Sequence, residues 1–200
     1  MGIFNNLFDI DSRDNYAITG LNKELNSLYI YNYFIKNKKN NLVITNSLYE
    51  ANDIYNRLLN YTDKVLFFPM DDFITSEVTD ISPEFVIDRL TTLNKLLGNG
   101  KYIVVTNLMG ILRYLPSTKL YKNKIIDINK DMDIDRDDFI NKLFDLGYEK
   151  VPVVSRTGEM AIRGYVIDIF PIEFDNPIRI EFWGDTIDSI KYFVLEDQIY

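Results

Sequence analysis

The stretch RGYVIDIFPIEFDNPIRIEFWGDTIDSI, residues 163–190, alternates apolar side chains with arginines and carboxylates. A period of two puts Ile178, Ile180 and Phe182 on one side of a strand and Arg179, Glu181 and Trp183 on the other. Gly184-Asp185 is a two-residue hairpin signal, so the run TIDSIKYFV after it is expected to pair back against IRIEFW, with Trp183 beside the turn. Upstream, Arg163 precedes Gly164, and a glycine inside a strand reads as a bulge or a close backbone approach, either of which aims the arginine outward. Val166, Ile167, Ile169 and Phe170 are expected in the core. Two readings of the polar side stay open. Arginine, carboxylate and a large aromatic on one strand face make interface chemistry, because arginine and tryptophan supply rigid area and bidentate hydrogen bonding. The alternative is an intramolecular Arg179–Glu181 ladder on a wet sheet face, with Arg163 paired to Asp168 or Glu159.

Working outward, KIIDIN (residues 124–129) reads as a strand and DRDDFINKLFDLGY (residues 135–148) as one helix ending at Gly147, followed by short alternating strands. Residues 117–200 are therefore expected to form a smaller α+β domain. Ahead of Pro116 the pattern differs. A helical run over about residues 21–37 leads into the apolar run NLVIT; Ser47 and Glu50 make a capping box for the next helix; VLFFP is a strand ending at Pro69. Beyond the loop MDDFITSEVTD, Ser82-Pro83-Glu84 starts a helix that Gly98-Asn99-Gly100 stops, and KYIVVTN is the third strand, with LMGILRYL a short helix. Helices alternating with strands that are apolar throughout predict an α/β domain over residues 1–116, its parallel sheet covered on both faces.

Composition narrows the chemistry. The 200 residues carry 22 basic and 30 acidic side chains for a net charge of -8, with neither cysteine nor histidine. That balance opposes a phosphate backbone, and the missing side chains exclude disulfides, thiolate and imidazole catalysis and the common zinc sites. The cluster Lys36, Lys38 and Lys39 reads as a solvated helix end rather than a basic stripe. No secretory, lipidation or membrane-spanning pattern is present, so a cytoplasmic chain without membrane contact is expected.

In a parallel α/β domain a nucleotide is expected where an early strand turns into a helix, and AITGLNKE (residues 17–24) occupies that place. The phosphate-loop pattern would fall on Ala17, Asn22, Lys23 and Glu24, of which only the lysine fits. Glycines that let backbone N–H groups wrap phosphate are missing, and Glu24 brings negative charge where a magnesium-binding hydroxyl belongs. The expectation is a degenerate loop, with no catalytic residues, no metal and no cofactor.

Three segments, FFPMDDFITSEVTDISPEFVIDRLTTL, GYEKVPVVSRTGEMAIRGYVIDIFP and PIRIEFWGDTIDSIKYF, together resemble the bacterial transcription-repair coupling factor family (Mfd). The last two also resemble the excision-repair subunit UvrB, which keeps an intact phosphate loop. The resemblance implies a UvrB-like domain 1a with a degenerate loop, then a domain 2 that binds UvrA. It implies an N-terminal piece of a longer ATP-dependent DNA translocase, whose RNA polymerase, DNA, ATP and magnesium sites lie elsewhere in the parent. By the same resemblance Arg163, Arg179, Glu181 and Trp183 belong to the UvrA-contacting surface; the family usually has phenylalanine at position 183. The competing implication is a fragment of an active helicase-like subunit of the UvrB kind.

Overall fold

Asn22 starts the first element: its side chain accepts from the Leu25 N–H at 2.9 Å, capping helix α1 (Lys23–Asn37). The computed structural model describes residues 16–72 and 82–195, within two compact units, Met1–Tyr114 and Leu115–Tyr200. In the first unit α1 is followed by β1 (Asn41–Thr45), α2 (Leu48–Leu59), β2 (Val65–Phe68), α3 (Pro83–Leu97), β3 (Ile103–Asn107) and the single turn α4 (Leu108–Ile111). The strands form a parallel sheet in the order β1-β3-β2. Phe34, Ala51 and Leu58 from α1 and α2 bury one face with Val65, Ile103 and Val105. The other face buries Leu66, Phe68 and Val104 beneath Leu93 and Leu96 of α3.

Three expectations are corrected here. The sheet is not covered on both faces throughout: α3 packs over β2 and β3, leaving Leu42 and Ile44 of the edge strand β1 59% and 49% exposed. No strand precedes α1 among the described residues, since residues 16–22 join no ladder. Ser82 stands at the N-cap of α3 with proline following, yet its side chain makes no capping hydrogen bond. Most of the loop read over MDDFITSEVTD, residues 73–80, lies outside the described residues.

The second unit contains α5 (Thr118–Lys122), α6 (Arg136–Asp145), β4 (Glu149–Lys150), β5 (Glu159–Arg163), β6 (Val166–Ile169), β7 (Ile178–Trp183) and β8 (Thr186–Tyr192). Its five-stranded sheet runs in that order, antiparallel except for β4 against β5. One face buries Met160, Ile167, Ile169, Ile178, Ile180, Phe182 and Ile187 together with Phe139 and Leu143 of α6. KIIDIN is not a strand. Its alternation serves packing instead of pairing: Ile126 and Ile128 lie against this core, while the chain joins β8 only further on, through Asp131 N–H to Ile187 O at 2.8 Å.

The hairpin read at Gly184-Asp185 forms, with Trp183 opposite Thr186 and Gly184 at φ 62°. Gly164 marks neither a bulge nor a strand interior. At φ 56° it lies in the turn that brings Arg163 opposite Val166. The sheet's irregularity lies between β7 and β8, where Ser189 faces Glu181 and Ile187 faces Phe182, leaving Asp188 as the extra residue.

Candidate functional site

Strand alternation in the second unit sends one set of residues to the core and the complementary set to the opposite face. Cross-strand pairing fixes the neighbours there: Ala161 faces Asp168, Asp168 faces Arg179, and Arg179 faces Lys191. Asp168 is only 1% exposed and accepts from both predicted arginines. Arg179 donates Nε to Oδ1 at 2.7 Å and Nη2 to Oδ2 at 2.9 Å, a bidentate fork. Arg163 donates Nη1 to Oδ2 at 3.0 Å and Nη2 to the Pro152 carbonyl at 3.0 Å. The Arg179 guanidinium also lies over the Phe193 ring, 5.1 Å from its centroid. Both arginine side chains still reach solvent, at 29% and 34% exposure. Trp183, beyond Glu181 on the same face of β7, is 84% exposed.

The structure thus brings Arg163 and Arg179 together through one carboxylate, and that carboxylate is Asp168 rather than Glu181. Glu181 turns to β8, where its Oε2 accepts from Ser189 Oγ at 2.6 Å and Lys191 Nζ at 3.1 Å. Those hydrogen bonds hold its carboxyl below the ordinary range. Glu159 is likewise taken up internally: buried at 5% exposure, it accepts from the backbone and hydroxyl of Ser155 and from the backbone and Nε of Arg156. Burial pushes the Glu159 carboxyl up, but the hydrogen bonds from Ser155 and Arg156 outweigh it and hold the group below its ordinary value. The loop that follows β4 is thereby pinned across this side of the sheet, where Val154 is buried with Ala161 and Phe170.

Lys191 and Phe193 were missed in the sequence reading. Their signal was available in TIDSIKYFV, because the period that faces Glu181 with Ser189 also carries Lys191 and Phe193 to the polar side.

In the first unit, the residues of the degenerate loop meet partners from their own chain. Lys23 Nζ sits 3.1 Å from Asp53 Oδ2, and Glu24 pairs with Arg57, which also donates Nε to Asp53 at 3.0 Å. The Lys23 hydrogen bond holds Asp53 below its ordinary value, and Glu24 raises that of Arg57. Asn22 caps α1 instead of wrapping an anion. Ala17 is exposed and lies in no element. At the C-terminal end of the sheet, where open α/β folds bind ligands, the N-terminus of α2 is also occupied. Asp72 accepts from Leu48 N–H through both oxygens, at 2.8 and 2.9 Å, and Ser47 Oγ accepts from Glu50 N–H at 3.2 Å. Among the described residues, no cluster of His, Cys, Asp and Glu could hold a metal ion, and no helix is long and apolar enough to cross a membrane.

Residues 126–199, which contain the whole arginine-bearing sheet, match the UvrB interaction domain family. The transcription-repair-coupling factor of Staphylococcus haemolyticus is 36% identical over 197 residues, covering 98% of this chain and 17% of that protein. Its counterparts in Staphylococcus epidermidis and Staphylococcus aureus are 34% identical with the same coverage. The chain spans about a sixth of the length of these curated relatives. Over residues 126–199 the chain matches the UvrB interaction domain family, and over 197 residues it is similar to one part of the transcription-repair-coupling factors.

Proposed function

We propose that this chain is the UvrA-recruiting module of a transcription-repair coupling factor, linking stalled RNA polymerase to nucleotide excision repair, and that it is not itself catalytic. The observation that carries the reading is the face of the second sheet. Arg163 and Arg179 are fixed on a buried Asp168, and a tryptophan further along the same face is almost fully exposed. Rigid arginines sharing a face with an uncovered aromatic are the composition of binding hot spots, and here they fall within the residues that match the UvrB interaction domain. In this reading the first unit is a domain 1a-like phosphate-loop fold that has lost its nucleotide site. Support comes from Lys23 and Glu24, each engaged by a charge on α2. ATP with magnesium, DNA and RNA polymerase are engaged by other parts of the longer protein, and its setting is the cytoplasm.

The test is an equilibrium titration of this chain with UvrA from the same organism. Saturable one-site binding supports the reading; absence of saturation up to about 0.1 mM UvrA, weaker than roughly -5 kcal/mol, contradicts it.

A further inference from the structure

Asp168 sits where a sheet face would ordinarily be wet or apolar, yet it is 1% exposed and carries a charge-assisted hydrogen-bond set from two arginines on two different strands. A buried ionic cluster of this kind is a poor device for stability alone, since well-packed apolar residues of similar volume hold a fold as well or better. What it supplies is geometry. Arg179 is forked on both carboxylate oxygens and stacked over Phe193, so its guanidinium plane is set; Arg163 is tied at one end to Oδ2 and at the other to the Pro152 carbonyl. Both guanidiniums still reach solvent, at 29% and 34% exposure. Side chains that have already lost their rotamer freedom lose less on docking, which raises affinity without a new contact.

We propose that Asp168 is a positioning residue for partner binding: it does not touch the partner, and it pre-orients Arg163 and Arg179 as a rigid pair of hydrogen-bond donors for UvrA. This rests on the reading of the face as the UvrA-binding site and adds a residue to it. Glu159 does not share the role, because its hydrogen bonds end on Ser155 and Arg156 rather than on the two arginines. Lys191, the cross-strand neighbour of Arg179 on the same face, is engaged by Glu181.

The experiment is a double-mutant cycle for UvrA affinity in the whole chain, measured at equal folded concentration, with the variants Asp168→Asn, Arg179→Ala and the two combined. Asparagine keeps the shape of aspartate while removing the charge that holds two guanidiniums. The expected result is about tenfold or more weaker binding for Asp168→Asn, equivalent to roughly 1.4 kcal/mol. In the Arg179→Ala background the same substitution should cost less than it does in the parent chain, keeping only the part that acts through Arg163. A second readout is the Arg179 Nε–Hε signal in a nitrogen–proton NMR spectrum, which should move from a hydrogen-bonded to a free position in Asp168→Asn. The variant that combines both changes removes the buried charge with one of its partners, so if Arg179→Ala alone folds poorly the Asp168→Asn loss and the NMR readout still test the role. If Arg179→Ala loses binding while Asp168→Asn keeps it, or if the two losses multiply, the positioning role is wrong and the UvrA reading stands. If neither Arg179→Ala nor Trp183→Ala weakens binding, the underlying reading fails and this role with it.

Discussion

Arg163 and Arg179 look, in the sequence, like surface residues whose loss should cost the fold about 0–1 kcal/mol. Their shared partner changes that expectation, since Asp168 is buried and depends on both. Replacing one arginine with alanine should cost about 1–3 kcal/mol, the range for a hydrogen bond to a charged group. Replacing both should cost about 3–5 kcal/mol, because the buried carboxylate is then uncompensated. Chemical denaturation of the three variants checks this; a double variant as stable as the parent would contradict the burial of Asp168. Glu159 makes a separate pH prediction. Its folded value lies below the ordinary 4.5, so the stability it contributes is present above about that pH and is lost as pH falls through the folded value. Glu159→Gln should flatten the fall in stability below about pH 4.5, read as a smaller slope in denaturation midpoints against pH. The outward side of Arg179, Glu181 and Trp183 was legible because a period of two is enough to assign faces. Asp168 was one of the two partners read for Arg163, and the pair forms; the Arg179 partner was not legible, because choosing Asp168 over Glu181 depends on cross-strand register, which a single strand's pattern does not contain.

At the scale of elements, the strands that pack strongly on one face were readable, and the segments whose apolar residues serve packing without pairing were not. β1, β2, β3, β7 and the β7–β8 hairpin follow from apolar runs and a Gly-Asp turn. KIIDIN has the same alternation as a strand but borders the core at an unpaired position, so its pattern misleads. Gly164 was singled out correctly as a special backbone position and assigned to the wrong device, since a glycine at φ 56° serves a hairpin turn as well as a bulge. Two glycine variants separate the reasons for glycine. Gly164→Ala meets no atom within 4 Å and pays only for its left-handed backbone, about 1 kcal/mol, a loss that Gly164→Asn should partly restore. In Gly110→Ala the new Cβ would lie 2.2 Å from Thr106 Oγ1, which donates to the Phe68 carbonyl at 2.6 Å. That crowding should cost about 1–3 kcal/mol. Thermal unfolding of the three variants decides; equal effects at the two sites would contradict the distinction.

For the molecule as a whole, the proposed division of labour is between two units: a parallel α/β unit whose Lys23 and Glu24 are met by charges on α2, and a sheet that presents a fixed arginine pair. The chain should accordingly show no saturable Mg-ATP binding by calorimetry, and a dissociation constant below about 1 mM, roughly -4 kcal/mol, would favour a working UvrB-type nucleotide site instead. The missing glycines at the loop were visible in the sequence, whereas the pairing of Lys23 with Asp53 was not, because it joins residues on two helices. The central claim concerns the sheet face, and Trp183 tests it most cleanly. Its ring is 84% exposed and covers little of its own hairpin, so truncation removes interface area without opening a core. The measurement is a titration of UvrA against the parent chain and Trp183→Ala at equal folded concentration, with Trp183→Phe as the conservative control. The account predicts that Trp183→Ala melts with the parent and binds about 10- to 100-fold more weakly, roughly 1.4–2.8 kcal/mol, while Trp183→Phe binds nearly as the parent does. Unchanged affinity in a folded Trp183→Ala chain would contradict the assignment of this face to UvrA.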